Sequence, residues 1–469
     1  MKRKLISALL ALTMVISMTA CGGGSGASGD SGSGDAAADD GGAAADAGTD
    51  AAADSGAGQE DAAPVEGGSA DENTLTVWTW DPNFNIYAIQ KAAEIYAQDH
   101  EGFKVEVSEV QSDDIETRLT TAVAAGDLST LPDIFLMQDN SFQKYATNYP
   151  DIFTDLTSSG IDFSQFSSAK VAYSTLDGKN YGIPFDNGAV INCMRTDYLE
   201  EAGFTIDDFT DITWSDYMEK AKVVLEKTGQ PILTSQAGSP DLIMMMLQSC
   251  GSSLFNEDGS VNIAGNEELK QMMDIYVQMV ADGTLVEVTD WDQYIASLNN
   301  GTAVSALNGC WIMASITVAE DQSGKWAITN MPKLDGVSNA TNYSNNGGSS
   351  WAISSNCQKV DLAIDFMNST FAGSNALYDD VISKGALATW APAGESEAYN
   401  ESVEFFGNDA IYAKIVEFAT HTPSNITGAY YYDARDAVGV ALSNICQQGA
   451  DIDSEIQTAQ ETVEFNMGG

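Results

Sequence analysis

The stretch Tyr181–Ala202, YGIPFDNGAVINCMRTDYLEEA, decides how the chain is organised. Its apolar beginning and its second apolar run, Ala189–Ile191, predict two strands. The polar segment Asp186–Gly188 between them predicts a turn, and Thr196 predicts the start of a helix shortly afterwards. In a long chain, such a segment is a natural place to leave one sheet and enter another.

Length and charge restrict the classes of protein that the chain can belong to. A chain of 469 residues exceeds what one hydrophobic core usually serves, so we expect two lobes. A formal net charge of -48 argues against nucleic acid as a partner. The only arginines are Arg3, Arg118, Arg195 and Arg435, whereas sites for phosphate or dicarboxylates normally use guanidinium groups. We therefore expect a neutral or cationic ligand.

The N-terminal region has the pattern of an exported, anchored protein. Residues 1–21 combine three basic residues, a short apolar run and small residues before Cys21, which predicts a signal peptide. The small residues before Cys21 resemble a bacterial lipobox, which implies a lipidated Cys21; an ordinary secretory signal is the alternative. Residues 22–72 are mostly Gly, Ala, Ser and Asp, which predicts a disordered tether. We expect a protein lipid-anchored at the extracellular face of the cell membrane, in a Gram-positive type of bacterium.

The folded part begins with an alternation of strands and helices between residues 74 and 138. Short apolar strands separated by helices predict a parallel sheet flanked by helices. Ligands bind at the carboxyl ends of the strands in such sheets. Trp80 and Asp81 follow the first strand and Asp139 follows the third, so these side chains are candidates for a binding site.

Several motifs resemble those of a known family. Residues 181–203 resemble the crossover segment G-x-P…Y-N-x-D-L of extracellular solute-binding proteins of the ABC-transporter carbohydrate family, although Met194-Arg195 replaces Tyr-Asn. Asn308–Trp311 resembles the family's N-G-x-W, and Gly347–Ser354 resembles its G-G-x-x-x-A-I-S strand. Such motifs follow in the family's order over residues 74–460. The chain is thus similar to this family along its whole folded part.

The resemblance implies an α/β, two-lobed periplasmic-binding-protein-like fold (type II). Each lobe would have a central sheet flanked by helices, with a three-segment hinge near residues 186–190, 326–347 and 384–392. The predicted domains are the signal peptide 1–21, the tether 22–72, lobe 1 in 73–187, lobe 2 in 188–328, the return of lobe 1 in 329–386, and the C-terminal part of lobe 2 in 387–469.

A neutral sugar needs flat aromatic faces for its rings and carboxylates or amides for its hydroxyls. The resemblance implies that Trp311 and Tyr431 stack on the sugar. Each candidate also has a structural alternative, for example core packing for Trp80 and capping of a turn for Asp186. The predicted ligand-binding residues are Trp80, Asp81, Asp139, Asp186, Asn187, Trp311, Trp351 and Tyr431.

The resemblance implies a binding protein rather than an enzyme. It would capture a sugar or oligosaccharide by hinge closure and deliver it to the permease subunits of an ABC importer, as a monomer without cofactor or metal. The alternative is an extracellular glycoside hydrolase that uses Asp139 and Asp186 as its paired carboxylates. The only histidines are His100 and His421, in no zinc-binding pattern, and the five cysteines after Cys21 predict no disulfide framework.

Overall fold

The computed structural model describes residues 67–423 and 425–468. The predicted signal peptide, the predicted lipidation site Cys21 and the predicted tether as far as residue 66 lie outside these residues. In the part that is described, no helix has both the length and the apolar character needed to cross a bilayer.

The secondary structure of the described residues alternates strands with helices. The strands are β1 (Thr74–Thr79), β2 (Lys104–Glu109), β3 (Ile134–Gln138), β4 (Thr175–Leu176), β5 (Lys179–Asn180), β6 (Ile183–Arg195), β7 (Leu233–Gln236), β8 (Leu285–Val288), β9 (Ser305–Gly309), β10 (Trp326–Thr329) and β11 (Asn345–Ile353). The α-helices are α1 (Asn85–Tyr96), α2 (Ser112–Ala125), α3 (Asp139–Asn148), α4 (Ser168–Tyr173), α5 (Thr196–Ala202), α6 (Trp214–Thr228), α7 (Asp241–Ser249), α8 (Glu267–Asp282), α9 (Trp291–Asn299), α10 (Ile312–Ile316), α11 (Val360–Ser369), α12 (Asn375–Val381), α13 (Ile411–His421), α14 (Tyr431–Gln448) and α15 (Ile452–Asn466).

Lobe 1 is built on the strand order β2-β1-β3-β11-β6. Strand β1 pairs in parallel with β2 and β3, which confirms the predicted parallel arrangement, while β11 runs antiparallel to β3 and β6. Alternate residues of β1 enter different cores, because successive side chains of a strand point to opposite faces. Leu75 and Val77 pack in one core, and Trp78 packs in the other. Both faces of this sheet are therefore buried.

Lobe 2 uses the second half of β6. This half pairs antiparallel with β9 on one side and β10 on the other, and β7 and β8 form a separate parallel pair. Val190 and Met194 point into one core of lobe 2, whereas Ile191 and Cys193 point into the other. Strand β6 thus belongs to both lobes and joins their sheets.

The predicted turn at Asp186–Gly188 is wrong, because these residues lie inside the continuous strand β6. The strand changes partners here: Asn187 pairs with Gly348 of β11, and Val190 pairs with Gly309 of β9. Gly188 makes the crossing possible, since a Cβ at this position would lie 2.1 Å from the carbonyl oxygen of Asn346. The polar residues mark a change of sheet rather than a change of direction.

The structure also shifts two predicted lobe boundaries towards the C-terminus. Met331 and Leu334 lie in a core of lobe 2, so the chain returns to lobe 1 at β11 and not at residue 329. Ala393 lies in a core of lobe 1, and Trp390 forms a bridge with Phe166 of that lobe, so lobe 1 extends past residue 387. Both segments contain apolar residues that suit either core, and only their packing decides which lobe they join.

Candidate ligand-binding site

A cavity of about 570 Å³ lies between the two lobes, beside the crossing strands. Its volume falls within the range of about 300–1,000 Å³ that is typical of small-molecule sites. Both lobes and both crossing strands contribute to its wall. The lining residues are Asp139, Gln143, Ser167, Lys170, Ala172, Tyr173, Asn187, Ala189, Gln248, Asn345, Ala419, Thr422, Pro423, Asn425, Ile426 and Thr427.

An ion pair between Asp139 and Lys170 forms part of the lobe 1 wall. Nζ of Lys170 donates to Oδ2 of Asp139 and, at 3.0 Å, to the carbonyl oxygen of Ser349. Oδ1 of Asp139 accepts a hydrogen bond of 2.8 Å from the hydroxyl of Ser350. The two charged side chains are only 4% and 3% exposed. Buried charges require such pairing and hydrogen bonding, and both groups have it.

A second carboxylate, that of Asp186, lies next to this ion pair and completes a buried charge cluster of Asp139, Lys170 and Asp186. Oδ1 of Asp186 accepts hydrogen bonds from the backbone N–H of Ser349, at 2.8 Å, and from the hydroxyl of the same residue. Ser349 hydrogen bonds with both Lys170 and Asp186, so the ammonium lies near both carboxyl groups and lowers the pKa of each. One ammonium therefore faces two carboxyl groups.

Burial dominates the electrostatics of this cluster. Loss of hydration raises the pKa of Asp139 to about 6, and the neighbouring ammonium opposes this rise. Burial likewise raises the pKa of Asp186, against the charge of Lys170 and the hydrogen bonds from Ser349. Asp139 is thus ionised at neutral pH but takes up a proton in mildly acidic solution.

Local structure explains how the pair comes to face the cavity. Asp139 begins α3 directly after β3 ends, so it lies at the carboxyl end of a central strand of lobe 1. Lys170 lies on the short helix α4, whose first turn is capped by the hydroxyl of Ser167. Gly348 of β11 has φ +102°, and a Cβ there would lie 2.7 Å from Oδ2 of Asp139 and 3.1 Å from Nζ of Lys170. The pair can pack this closely on β11 because residue 348 is glycine.

The indole of Trp311 lies on the lobe 2 side of the same crossing strand. Its Nε1 donates a hydrogen bond of 2.8 Å to the carbonyl oxygen of Asn346. Its ring centroid is 5.8 Å from that of Trp291, which is 37% exposed. A Cβ at Gly347 would lie 3.2 Å from Nε1 of Trp311. Two consecutive glycines of β11 therefore contact the indole and the charge cluster.

The two lobes also touch directly next to the cavity. The hydroxyl of Tyr432, at the start of α14, donates to Oε1 of Gln138, the last residue of β3. Within lobe 2, the guanidinium carbon of Arg435 lies 5.6 Å from the centroid of the Tyr432 ring, and Arg435 forms an ion pair of 2.6 Å with Asp241. The hydrogen bond from Tyr432 to Gln138 joins the lobes, and Arg435 holds the ring of Tyr432 in place from within lobe 2.

Comparison with known proteins identifies the family. The sequence model of the bacterial extracellular solute-binding proteins matches residues 91–404, which is more than half of the chain. The chain belongs to this family. The lactose-binding protein of Rhizobium radiobacter is 37% identical to it over 365 residues, covering 78% of this chain and 86% of that protein. An arabinooligosaccharide-binding protein of Halalkalibacterium halodurans is 23% identical over 412 residues, covering 83% and 85%.

Solved structures of two-lobed binding proteins share the fold. The ABC-transporter-associated binding protein of B. animalis subsp. lactis, solved with beta-1,6-galactobiose, aligns with a TM-score of 0.71 at 21% identity, covering 83% of this chain and 96% of that one. The galacto-N-biose-/lacto-N-biose I-binding protein of Bifidobacterium longum aligns with a TM-score of 0.69 at 18% identity, covering 83% and 95%. The predicted two-lobed α/β fold is confirmed.

Two of the predicted ligand residues of this solute-binding protein line the cavity, and two more lie at the crossing strands next to it. Asp139 and Asn187 line it. Asp186 lies behind Asp139 in the charge cluster, and Trp311 lies on the other side of β11. Residues from three distant parts of the chain are thus brought together at the crossing strands.

The other predicted residues do not line the cavity. Trp80 is half-buried against the two cores of lobe 1, and Asp81 accepts a hydrogen bond of 2.8 Å from the backbone N–H of Asn83. Tyr431 is 5% exposed and packs in a core of lobe 2, directly behind the cavity wall, where its side chain hydrogen bonds with that of Asn425. The prediction of Trp351 as a ligand residue is wrong: it is fully buried in lobe 1, because its side chain points to the core face of β11.

Sequence reasoning missed several residues of the cavity wall. Lys170 and Tyr173 lie on α4, and residues 422–423 and 425–427 contribute to the lobe 2 side of the wall. The scarcity of arginine led to the expectation of a neutral or cationic ligand, and no lysine was among the predicted ligand residues. A weak signal was present, since Lys170 is the only charged residue of the helix SAKVAY. Within the described residues, no group of three or more His, Cys, Asp or Glu side chains is arranged to hold a metal ion.

Proposed function

We propose that this protein captures an uncharged sugar or oligosaccharide in the cavity between its lobes and delivers it to an ABC importer. The observation that carries the proposal is the interlobe cavity, where the charged side chains of Asp139 and Lys170 converge with amide side chains from both lobes, while the indole of Trp311 lies across β11. Carboxylates and amides bind hydroxyl groups, and indole faces pack on sugar rings. The names of the relatives support the same ligand class, since they are lactose- and arabinooligosaccharide-binding proteins.

Capture would proceed by hinge closure. Strand β6 crosses between the lobes at Gly188, and strand β11 crosses at Gly347-Gly348. Both glycines of β11 have positive φ angles, and the backbone of β11 packs closely on Gly188. Small changes of backbone angle in such crossing segments can move one lobe relative to the other. The contact between Tyr432 and Gln138 supports a closed arrangement in which both lobes enclose the ligand. The closed form would then be recognised by the permease.

The surroundings of the carboxylates favour binding over hydrolysis. A hydrolase would need two carboxyl groups that flank the bond to be broken. Asp186 is 2% exposed, does not line the cavity and is held by Ser349, so it is not placed to attack a bound sugar. We infer a binding protein that releases its ligand unchanged.

We also propose that the protein works as a monomer attached to the outer face of the membrane through a lipid on Cys21, as in a Gram-positive type of bacterium. The lipobox-like residues before Cys21 and the Gly/Ala/Ser/Asp-rich residues 22–72 support this proposal. Cys21→Ser should release the protein from the membrane fraction into the medium, whereas retention on washed cells would contradict lipid anchoring.

A thermal-shift screen tests the binding proposal. A ligand that binds only the folded state stabilises it by about 2.7 kcal/mol at a concentration of 100 Kd. Lactose, arabinooligosaccharides, other neutral oligosaccharides and monosaccharides should be compared with sugar phosphates and uronates. We expect at least one neutral saccharide to raise the Tm and the anionic sugars to leave it unchanged. No shift with any saccharide, or release of reducing ends from an oligosaccharide, would refute the proposal.

A further inference from the structure

We propose that Lys170 is a specificity-determining residue. Together with Asp139, it would hydrogen bond with two hydroxyl groups on neighbouring carbons of an uncharged sugar. The inference rests on the proposed function and adds to it the residue and the chemical feature that select the ligand. It starts from the ion pair in the cavity wall, in which a donor and an acceptor are in direct contact.

Both members of the pair have hydrogen-bonding capacity left for a ligand. An ammonium group has three N–H donors, and within the described residues Lys170 uses two of them, on Asp139 and on Ser349. An ionised carboxylate has about four acceptor positions, and that of Asp139 accepts from Lys170 and Ser350. Both residues line the cavity, so the remaining capacity is available to a bound molecule.

Neighbouring hydroxyls match this arrangement because a hydroxyl is both a donor and an acceptor. One hydroxyl can donate to Asp139 while the oxygen of the next accepts from Lys170. Hydrogen bonds with a charged partner are roughly twice as strong as neutral ones. A sugar that lacks either hydroxyl leaves one N–H of Lys170 or one acceptor position of Asp139 without a hydrogen bond in the closed site, and such a loss discriminates strongly between ligands.

The charge cluster also restricts the charge of the ligand. Asp139 and Asp186 contribute two carboxyl groups, whereas Lys170 contributes one ammonium group. When both carboxyl groups are ionised, the cluster has a net negative charge in a setting with little water to screen it. A uronate or a sugar phosphate would place a further anion beside it. The pair therefore selects a neutral diol rather than an acidic sugar.

The pair is rigidly supported, as a group that selects between ligands must be. Ser349 and Ser350 of β11 hold the ammonium and the carboxylate, and Gly348 leaves the space that both groups occupy. A fixed donor and acceptor lose little entropy when the ligand binds. Because they are fixed, they also cannot move to bind a hydroxyl that lies elsewhere on the sugar.

The test compares wild-type protein, Lys170→Met and the control Lys179→Met by titration calorimetry. Methionine keeps much of the length of lysine without the charge. Lys179 is an exposed lysine of lobe 1 that pairs with Asp155 and does not line the cavity. The titrants are lactose and a series of lactose analogues that each lack one hydroxyl.

For wild type and Lys179→Met, we expect two analogues, missing hydroxyls on neighbouring carbons, to bind about tenfold or more weakly than lactose. Lys170→Met should bind lactose about tenfold or more weakly. Lys170→Met should bind lactose and the analogue that lacks the hydroxyl contacted by Lys170 with similar affinity. It should still bind the analogue that lacks the hydroxyl contacted by Asp139 more weakly than lactose. A purely structural role of Lys170 would weaken all analogues by the same factor.

Three outcomes would overturn the inference. The first is a folded Lys170→Met protein with the affinities of wild type, and the second is a uniform loss for every analogue. The third concerns wild-type protein alone: no two analogues that lack hydroxyls on neighbouring carbons bind more weakly than lactose. If wild type binds no saccharide in the thermal-shift screen, the proposed function fails as well. Binding by wild type with an unchanged pattern in Lys170→Met refutes only the role of Lys170.

Discussion

Replacing Gly348 by alanine should damage both stability and binding, because β11 passes so close to the charge cluster. The new Cβ would lie 2.7 Å from Oδ2 of Asp139, 3.1 Å from Nζ of Lys170 and 3.3 Å from the carbonyl oxygen of Asp186. The backbone at this position has φ +102°, which residues with a side chain rarely adopt. Alanine therefore adds backbone strain and also pushes the carboxylate away from its partner.

The size of the effect follows from these two terms. A left-handed conformation costs a residue with a Cβ about 1–2 kcal/mol. Breaking a buried ion pair by removing one partner costs about 3–5 kcal/mol, which limits what displacement of Asp139 from Lys170 can cost. We expect Gly348→Ala to lower the free energy of unfolding by about 3 kcal/mol or more and to weaken sugar binding about tenfold or more.

Two glycines of the same chain separate the two terms. Gly229 has φ +72° and nothing within 4 Å of a Cβ, so Gly229→Ala should cost only the backbone term of about 1–2 kcal/mol. Gly265 also has nothing within 4 Å and no positive φ, so Gly265→Ala should be neutral or stabilise by about 0.4–1 kcal/mol. Urea denaturation with linear extrapolation measures all three. Equal losses for Gly348→Ala and Gly229→Ala, with binding intact, would refute the reasoning.

Three further predictions concern the cavity and its closure. Trp311→Ala should weaken sugar binding by about 1 kcal/mol or more, through loss of the indole face beside the crossing strand; unchanged affinity in calorimetry would remove Trp311 from the site. Sugar affinity should fall as the pH is lowered through about 6, because protonation of Asp139 removes a charged acceptor; a flat profile in titrations across that range would contradict its role. Tyr432→Phe should shift the ligand-free protein towards an open form, because the hydrogen bond to Gln138 is lost; small-angle scattering should show a larger radius of gyration, and an identical radius would speak against this contact as a closing element.

The amino-acid sequence by itself determined the class of fold and the position of the crossing. The β-forming residues of β1 and the short apolar runs that follow it, separated by helical patterns, place the parallel strands of lobe 1 correctly. The glycine motif before Trp351, through its resemblance to the family, also indicates where the chain returns to lobe 1. These features are local, so a local pattern can record them.

The tertiary structure alone decided which side chains meet. Trp351 and Ser350 are neighbours in the chain, yet the first is buried in the core of lobe 1 and the second holds Asp139, because alternate residues of β11 face opposite sides. Lys170 contacts a carboxylate 31 positions earlier and a carbonyl 179 positions later. Contacts over such separations depend on how helices and strands pack, and no spacing within the chain records them.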